Sequence, residues 1–593
     1  MRPLALALLT SSTLLGFALA APARAQPGAT VADDALAALV DDWWGWRLAD
    51  DPLFASYVGE RAYDDQLPDV SPPAVAARAQ AADAYLRRLD AIDTDALEGE
   101  DRITARILRT LLADVRDAAR FRAERTPITA SDGFHVAFTR LPSQQPAGTV
   151  AEVEAYLARL RAWPGYVEAQ IANLRAGLAS GHTVPAVAIA GLPATARAHV
   201  VADLEDSVFW APFAALPATI PPAERERLAD AGRGAIAQAV VPGYRTLAAF
   251  LEDEYLPGAR ATIGLSDTPD GAAAYAWRVR QFTTLDTTPQ AVHAVGLAEV
   301  ERIRAEMDAV IAEVGFTGSF EEFLTFLRTD PQFVAESPEA LLREGAWIAT
   351  QMNARLPQLF SRLPRLPYTV APVPDFLAPT FTAGFYVEPP AGGLVPGVYW
   401  INTYDLPSRP TWALEALTFH ESVPGHHLQI ALAQELDHLP AFRRALVLTA
   451  YEEGWGLYAE SLGTEAGFYT DPYRRFGRLT YEMWRACRLV VDTGMHAFGW
   501  SRQRAVSYLA ANTALSELEV RTEVDRYIAW PGQALGYKMG ELTIRRLRTE
   551  AETALGDRFD VRAFHDEVLG HGELPMGVLE SVVRDWIRTT AAG

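Results

Sequence analysis

The chain of 593 residues is 49% hydrophobic, carries a formal net charge of -22 and has a pI near 5.0. That length and apolar content suffice for a large buried core, and length alone suggests several domains. The acidity argues against nucleic acid and anionic membranes as partners, and a single cysteine, Cys487, excludes a disulfide framework.

At the N-terminus Arg2, an apolar run from Leu4 to Ala20 and the pattern Ala23-Arg24-Ala25 predict a cleaved secretory signal over residues 1–25. No lipid-accepting cysteine adjoins that cleavage point, and no other segment is long and apolar enough to span a bilayer, so the expectation is a soluble, exported, periplasmic protein without integral membrane association. The remainder, 26–593, is expected to be one unit in which 26–315 forms a helical wall and 316–593 a catalytic half. From Ala32 to Val314 the pattern is helical, with Thr149-Val150-Ala151-Glu152 spaced as a capping box and Pro221-Pro222 opening another helix. Between Pro364 and Thr403 the chain turns rich in Pro, Gly and aromatics. Two strand-like runs stand there, 382–387 and 397–402, and the second is expected to be an exposed edge that holds an extended substrate. Helices return near Pro410, with Ser408 as a candidate cap.

His420-Glu421-Ser422-Val423-Pro424-Gly425-His426-His427 then starts like a zinc-peptidase helix and breaks its rule. In His-Glu-x-x-His the imidazoles at i and i+4 share a helical face, so both reach one zinc while the Glu activates its water. Here i+4 is Pro424. On an undisturbed helix His426 would point about 240° round from His420, and His427 would lie roughly 10 Å further along. Pro424 removes a backbone donor and Gly425 tolerates almost any backbone angle, so a kink or bulge is expected to bring a ring at 426 or 427 back to His420. Three of the 11 histidines fall within these eight positions, a clustering that points to a metal.

Two histidines poised for hydrolysis take a third ligand, often a glutamate. In Tyr451-Glu452-Glu453-Gly454-Trp455-Gly456-Leu457-Tyr458-Ala459-Glu460, Glu453 and Glu460 are seven apart and share one helical face, as a ligand and a carboxylate supporting it would. Glu452 is expected to be a solvated charge. Further on, Arg526 to Gly540 forms a glycine- and aromatic-rich turn leading into a helix, and it contains Lys538, the only lysine among 53 basic side chains. Tyr537 is the candidate donor to the oxyanion of a tetrahedral intermediate. Lys538 is the candidate partner of a substrate carboxylate or a second oxyanion donor, because a lysine kept where arginine serves everywhere else suggests a place that no guanidinium fits. His427, Glu460, Tyr527, Tyr399 and Asn402 complete the expected site as supporting or substrate-binding groups.

Three motifs in this order, His-Glu-x-x-Pro-Gly-His-His, Glu-Gly-Trp-x-x-Tyr-x-Glu and Pro-Gly-Gln-Ala-x-x-Tyr-Lys-x-Gly, resemble those of the bacterial family DUF885, and the resemblance covers most of the chain after the signal. More distantly the arrangement is similar to the helical zinc peptidases of the thimet and angiotensin-converting type. That likeness implies a zincin-like, mainly α fold: a large helical scaffold around a deep cleft, with a small β-sheet beside the metal helix. It implies one zinc ion held by His420, His426 and Glu453, with Glu421 as general base and Tyr537 as oxyanion donor; the DUF885 resemblance favours His426 over His427. The expected function is an exported zinc peptidase acting on short peptides. The alternatives are a metallohydrolase of non-peptide amides or esters, and a catalytically silent peptide-binding protein.

Overall fold

Capping and proline punctuation set the helices of the first half. The Thr149 side chain accepts from the Glu152 amide and Glu152 accepts from the Thr149 amide, which satisfies two donors that a helix start leaves free and opens Val150–Ser180. Along that helix Val153, Tyr156, Leu157, Leu160, Val167, Ile171 and Leu174 recur at three- and four-residue spacing and are buried. Pro222 opens Pro222–Ala235 in the same half. A computed structural model describes residues 30–129, 132–375, 378, 382–389 and 395–592. Within them the protein is mainly helical, from Val31–Asp50 to Met576–Ala592, with one three-stranded sheet. The expected signal, 1–25, lies outside the described residues. No helix among them is long and apolar enough to cross a membrane.

One hydrophobic core runs through both halves, from Leu36 and Trp43 through Trp163 and Tyr244 to Trp455, Tyr527 and Ile587. Charged groups fasten the halves as well. Glu100, on the helix Gly99–Arg120, accepts from Arg443 Nη1 at 2.5 Å, and its other oxygen lies 2.5 Å from His571 Nδ1.

The sheet comprises β1, Tyr368–Pro372, β2, Gly384–Val387, and β3, Gly397–Ile401, in the order β1-β3-β2. β1 runs parallel to β3 with Tyr368 opposite Gly397, and β2 runs antiparallel with Tyr386 opposite Tyr399. The expectation that 397–402 forms an exposed edge is therefore corrected: β3 is the central strand, and β2 is the edge that faces the histidine helices. Alternation along β3 buries Gly397, Tyr399 and Ile401, so Tyr399 turns away from solvent.

Five helices build the region of the histidine, glutamate and tyrosine motifs: Leu414–Glu421, which packs on β2, His426–Gln434, Thr449–Glu465, Pro472–Ala497 and Leu535–Leu555. Thr449–Glu465 and Leu535–Leu555 cross at backbone contact. A Cβ on Gly540 would stand 1.8 Å from the Ala450 carbonyl oxygen, so only glycine fits there. This close crossing lays Tyr537 against Glu453.

Candidate metal centre

The helix Leu414–Glu421 ends at Ser422, whose backbone (φ -103, ψ -110) leaves helical angles, and the next helix starts at His426 after Gly425 (φ -81, ψ -130). A Cβ on Gly425 would lie 1.9 Å from the His420 carbonyl oxygen. The elbow therefore folds back onto the last carbonyls of the helix it leaves, and only a glycine permits that approach. Trp455 Nε1 donates to the Pro424 carbonyl at 2.8 Å and pins the elbow to the helix Thr449–Glu465. The result is a facing pair: the rings of His420 and His426 have centroids 4.7 Å apart at an interplanar angle of 85°. On the same helix as Trp455, Gly456 leaves room for the His420 ring, 2.8 Å from where its Cβ would be.

Glu453 completes the group. Its Oε2 lies 3.4 Å from His420 Nε2 and 3.7 Å from His426 Nε2, and one ligand atom from each of the three residues falls within 4.8 Å of the others. Two atoms each about 2.0–2.1 Å from a tetrahedral ion stand roughly 3.3 Å apart, so these spacings suit a zinc-sized cation. Glu453 Oε2, which faces both imidazoles, is buried and meets no donor in good hydrogen-bond geometry, which fits a group shaped to bind something else. Behind His420, Glu460 accepts at 2.9 Å from Nδ1 and leaves Nε2 for the centre, the carboxylate–histidine pairing that orients metal-bound imidazoles.

Burial alone would lower the His420 pKa, but the facing carboxylates of Glu453 and Glu460, which favour a protonated ring, outweigh it and raise the imidazole to about 10. Burial, reinforced by the charge on His420, lowers His426 to about 3. Burial would raise Glu453, yet its contacts with His420 and His426 hold it at about 2. The cluster thus holds one positive charge between carboxylates at neutral pH, a place that a metal cation can take from a proton. Burial, only partly offset by His420, pushes Glu421 up to about 7, near the value a base working at neutral pH needs. Its Oε2 accepts from the Tyr386 amide of β2 at 2.9 Å.

The remaining expected residues divide. Tyr537 joins the centre: its hydroxyl acts on the Glu453 carboxylate, and burial together with that charge raises the phenol to about 12. His427 turns the other way, its Nδ1 2.9 Å from the Tyr386 hydroxyl and its ring 4.4 Å from that of Tyr368. Tyr527 stands behind Tyr537: its hydroxyl accepts from Arg488 Nε at 2.9 Å and donates to Glu523 at 2.7 Å, while Arg488 lies 4.2 Å from the centre of the Tyr537 ring. Tyr399 pairs its hydroxyl with Thr418 at 3.2 Å, and Asn402 donates to the carbonyls of Ala378 and Thr382; both are fully buried and hold the sheet. Lys538 needs correction as a substrate-facing group. Its ammonium is fully buried and lies 2.9 Å from Glu482, 2.9 Å from Glu541 and 3.0 Å from Glu299, so the protein's own carboxylates occupy it. Glu452 needs it too: it is not a solvated charge but lines a cavity with Glu573, and burial followed by the Glu573 charge raises its carboxyl.

Sequence reasoning missed Arg485. Its guanidinium is 6% exposed, lies 3.8 Å from Glu460 and 4.5 Å from the Trp484 ring centre, and its Nε has no hydrogen-bond partner. Only its place on the buried helix Pro472–Ala497, in Trp484-Arg485-Ala486-Cys487-Arg488, offered a signal.

A protein described as a "putative lipoprotein" from Colwellia psychrerythraea has a similar structure, with a TM-score of 0.88 and 29% identity over 94% of this chain and 100% of that one. A second "putative lipoprotein of unknown function", from Shewanella oneidensis, shares the fold at 18% identity and a TM-score of 0.72, over 93% of this chain and 99% of that one. No curated protein matches the chain. The bacterial family of unknown function DUF885 matches residues 52–583, and the chain belongs to that family.

Proposed function

We propose that the protein is a metal-dependent hydrolase, in the first instance a zinc peptidase for short peptides, with a zincin-like cleft at the centre described above. The observation that carries this reading is the convergence of His420, His426 and Glu453 on one point beside the carboxyl of Glu421. A divalent ion bound there would lower the pKa of a coordinated water and polarise a carbonyl. Glu421 takes the proton from the attacking water and returns it to the leaving amine, which its pKa of about 7 permits in both directions. Glu460 fixes the His420 ring and keeps its Nε2 turned to the centre. Tyr537, backed by Arg488, donates to the carbonyl oxygen as negative charge grows on it. Among the described residues β2 pairs only with β3, and its Tyr386 amide already meets Glu421, so an extended peptide laid along this edge passes the base.

An exported location fits the expected N-terminal signal and the description of the two structural neighbours as lipoproteins. The reaction is tested by loading the purified protein with zinc and following release of new amino groups from a library of short peptides. Turnover that Glu421→Gln abolishes while metal is retained supports the proposal. A metal-loaded protein that cleaves no peptide, but cleaves other amides or esters, would replace the substrate class.

A further inference from the structure

Next to the candidate centre lies a cavity of about 1040 Å³, between the N-terminal helices and the catalytic half. Trp44, Leu48 and Tyr57 form one wall, on Val31–Asp50 and Pro52–Tyr57. The opposite wall continues the elements that build the centre. β2 passes from Tyr386, at Glu421, to Val387 and Glu388 on the lining; the helix that starts with His426 contributes Gln429; and Glu452 stands beside the ligand Glu453. A volume of this size admits several peptide residues.

Three carboxylates converge on it: Glu388, Glu452 and Glu573. Glu388 accepts from the Tyr57 hydroxyl at 2.5 Å, and Glu573 accepts from Gln429 Nε2 at 3.1 Å and from the Leu448 amide. All of these donors are neutral. Among the described residues no Arg, Lys or His forms an ion pair with any of the three. Two arginines do line the cavity, but Arg61 lies 3.6 Å from Asp64 and Arg444 lies 3.4 Å from Asp437. Gln429 supplies the independent sign of a ligand: it is 2% exposed, lines the cavity, and its Oε1 acceptor has no partner. Glu573 is buried, Glu388 and Glu452 are half-buried, and these carboxylates and the unpartnered Gln429 carbonyl oxygen, with no cation among them, are better satisfied when a positively charged donor arrives.

We propose that this cavity is the specificity subsite of the reaction proposed above, and that it binds a cationic group of the substrate, a free α-ammonium or a Lys or Arg side chain, between Glu388, Glu452, Glu573 and Gln429 Oε1. The inference rests on the peptidase reading for its role but not for its measurement. Zinc-loaded Glu421→Gln protein, which binds without turning over, is titrated calorimetrically with four short peptide amides. The first pair is tetra-alanine amide with a free or an acetylated N-terminus. The second is an acetylated tetrapeptide amide carrying lysine or norleucine. At least one pair should differ tenfold or more in Kd in favour of the charged member, and the pair that differs names the source of the cation. The difference should collapse in Glu452→Gln and Glu388→Gln proteins. Differences below tenfold in both pairs, no binding of any of the four, or a tenfold preference that survives both substitutions would overturn the proposal. The ligand-side comparison needs no cavity variant to fold. Binding of charged peptides by a protein that cleaves none would defeat the peptidase reading and leave the subsite standing; cleavage with equal affinity for all four would do the reverse.

Discussion

Three carboxylates around one ammonium account for Lys538 in a chain that otherwise uses arginine. An ammonium is compact and offers three donors, one for each of Glu299, Glu482 and Glu541, whereas a planar guanidinium in a fully buried space cannot turn to all three. Lys538→Met leaves these carboxylates without that charge and is expected to cost about 3–5 kcal/mol, read as a lowered thermal midpoint. Lys538→Arg should also lower the midpoint while KM at permissive temperature stays near wild type. Composition singled out this residue, but a substrate carboxylate and the protein's own glutamates ask for the same chemistry, so sequence could not tell them apart. Tyr537 is a different case, because the close helix crossing at Gly540 carries its hydroxyl to Glu453. Tyr537→Phe should lower kcat by about 10²–10³-fold with metal content and KM little changed. A raised KM at unchanged kcat would make the phenol a binding group instead.

At the scale of the element, the elbow between Leu414–Glu421 and His426–Gln434 decides the centre. Pro424-Gly425 announced a break in the sequence, yet which of two adjacent rings returned to His420 depended on the backbone angles at Ser422 and Gly425, which no residue pattern states. Gly425→Ala would drive a methyl group to 1.9 Å from the His420 carbonyl oxygen, so the two helices must part. The expected outcome is a folded protein with at least tenfold weaker metal binding by competition with a chelator; wild-type affinity would mean that the elbow yields without moving the rings. The sheet was legible in part. Strand-like runs at 382–387 and 397–402 match β2 and β3 closely, but β1, set between Pro367 and Pro374 and ending at Pro372, was hidden because proline argues against a strand. Sheet order was misjudged for a physical reason: alternation along a strand reports its two faces and says nothing about which strands flank it.

At the scale of the whole molecule, helical periodicity and capping made the mainly α architecture readable, while long-range pairings such as Glu100 with Arg443 and His571 were invisible because their partners lie hundreds of positions apart. That cluster gives the stability a pH dependence. Burial would lower His571, but the hydrogen bonds its ring donates to Glu100 and Glu567 raise it to about 9, above its unfolded value of about 6.5. Its contribution is therefore complete below about pH 6.5, declines as pH rises, and is gone above about 9. The thermal midpoint of the wild type should fall across this window more steeply than that of His571→Gln; parallel profiles would show that the pair contributes nothing to holding the halves together. The proposed hydrolysis, with Glu421 as its base, presupposes an ion held by His420, His426 and Glu453. The most direct measurement is the metal content of the full chain after zinc loading and removal of excess. Wild type, Glu421→Gln and His427→Ala should each retain one zinc per chain, whereas His420→Ala, His426→Ala and Glu453→Ala should retain almost none. A wild type that takes up no metal, or three ligand variants that keep a full equivalent, would contradict the account.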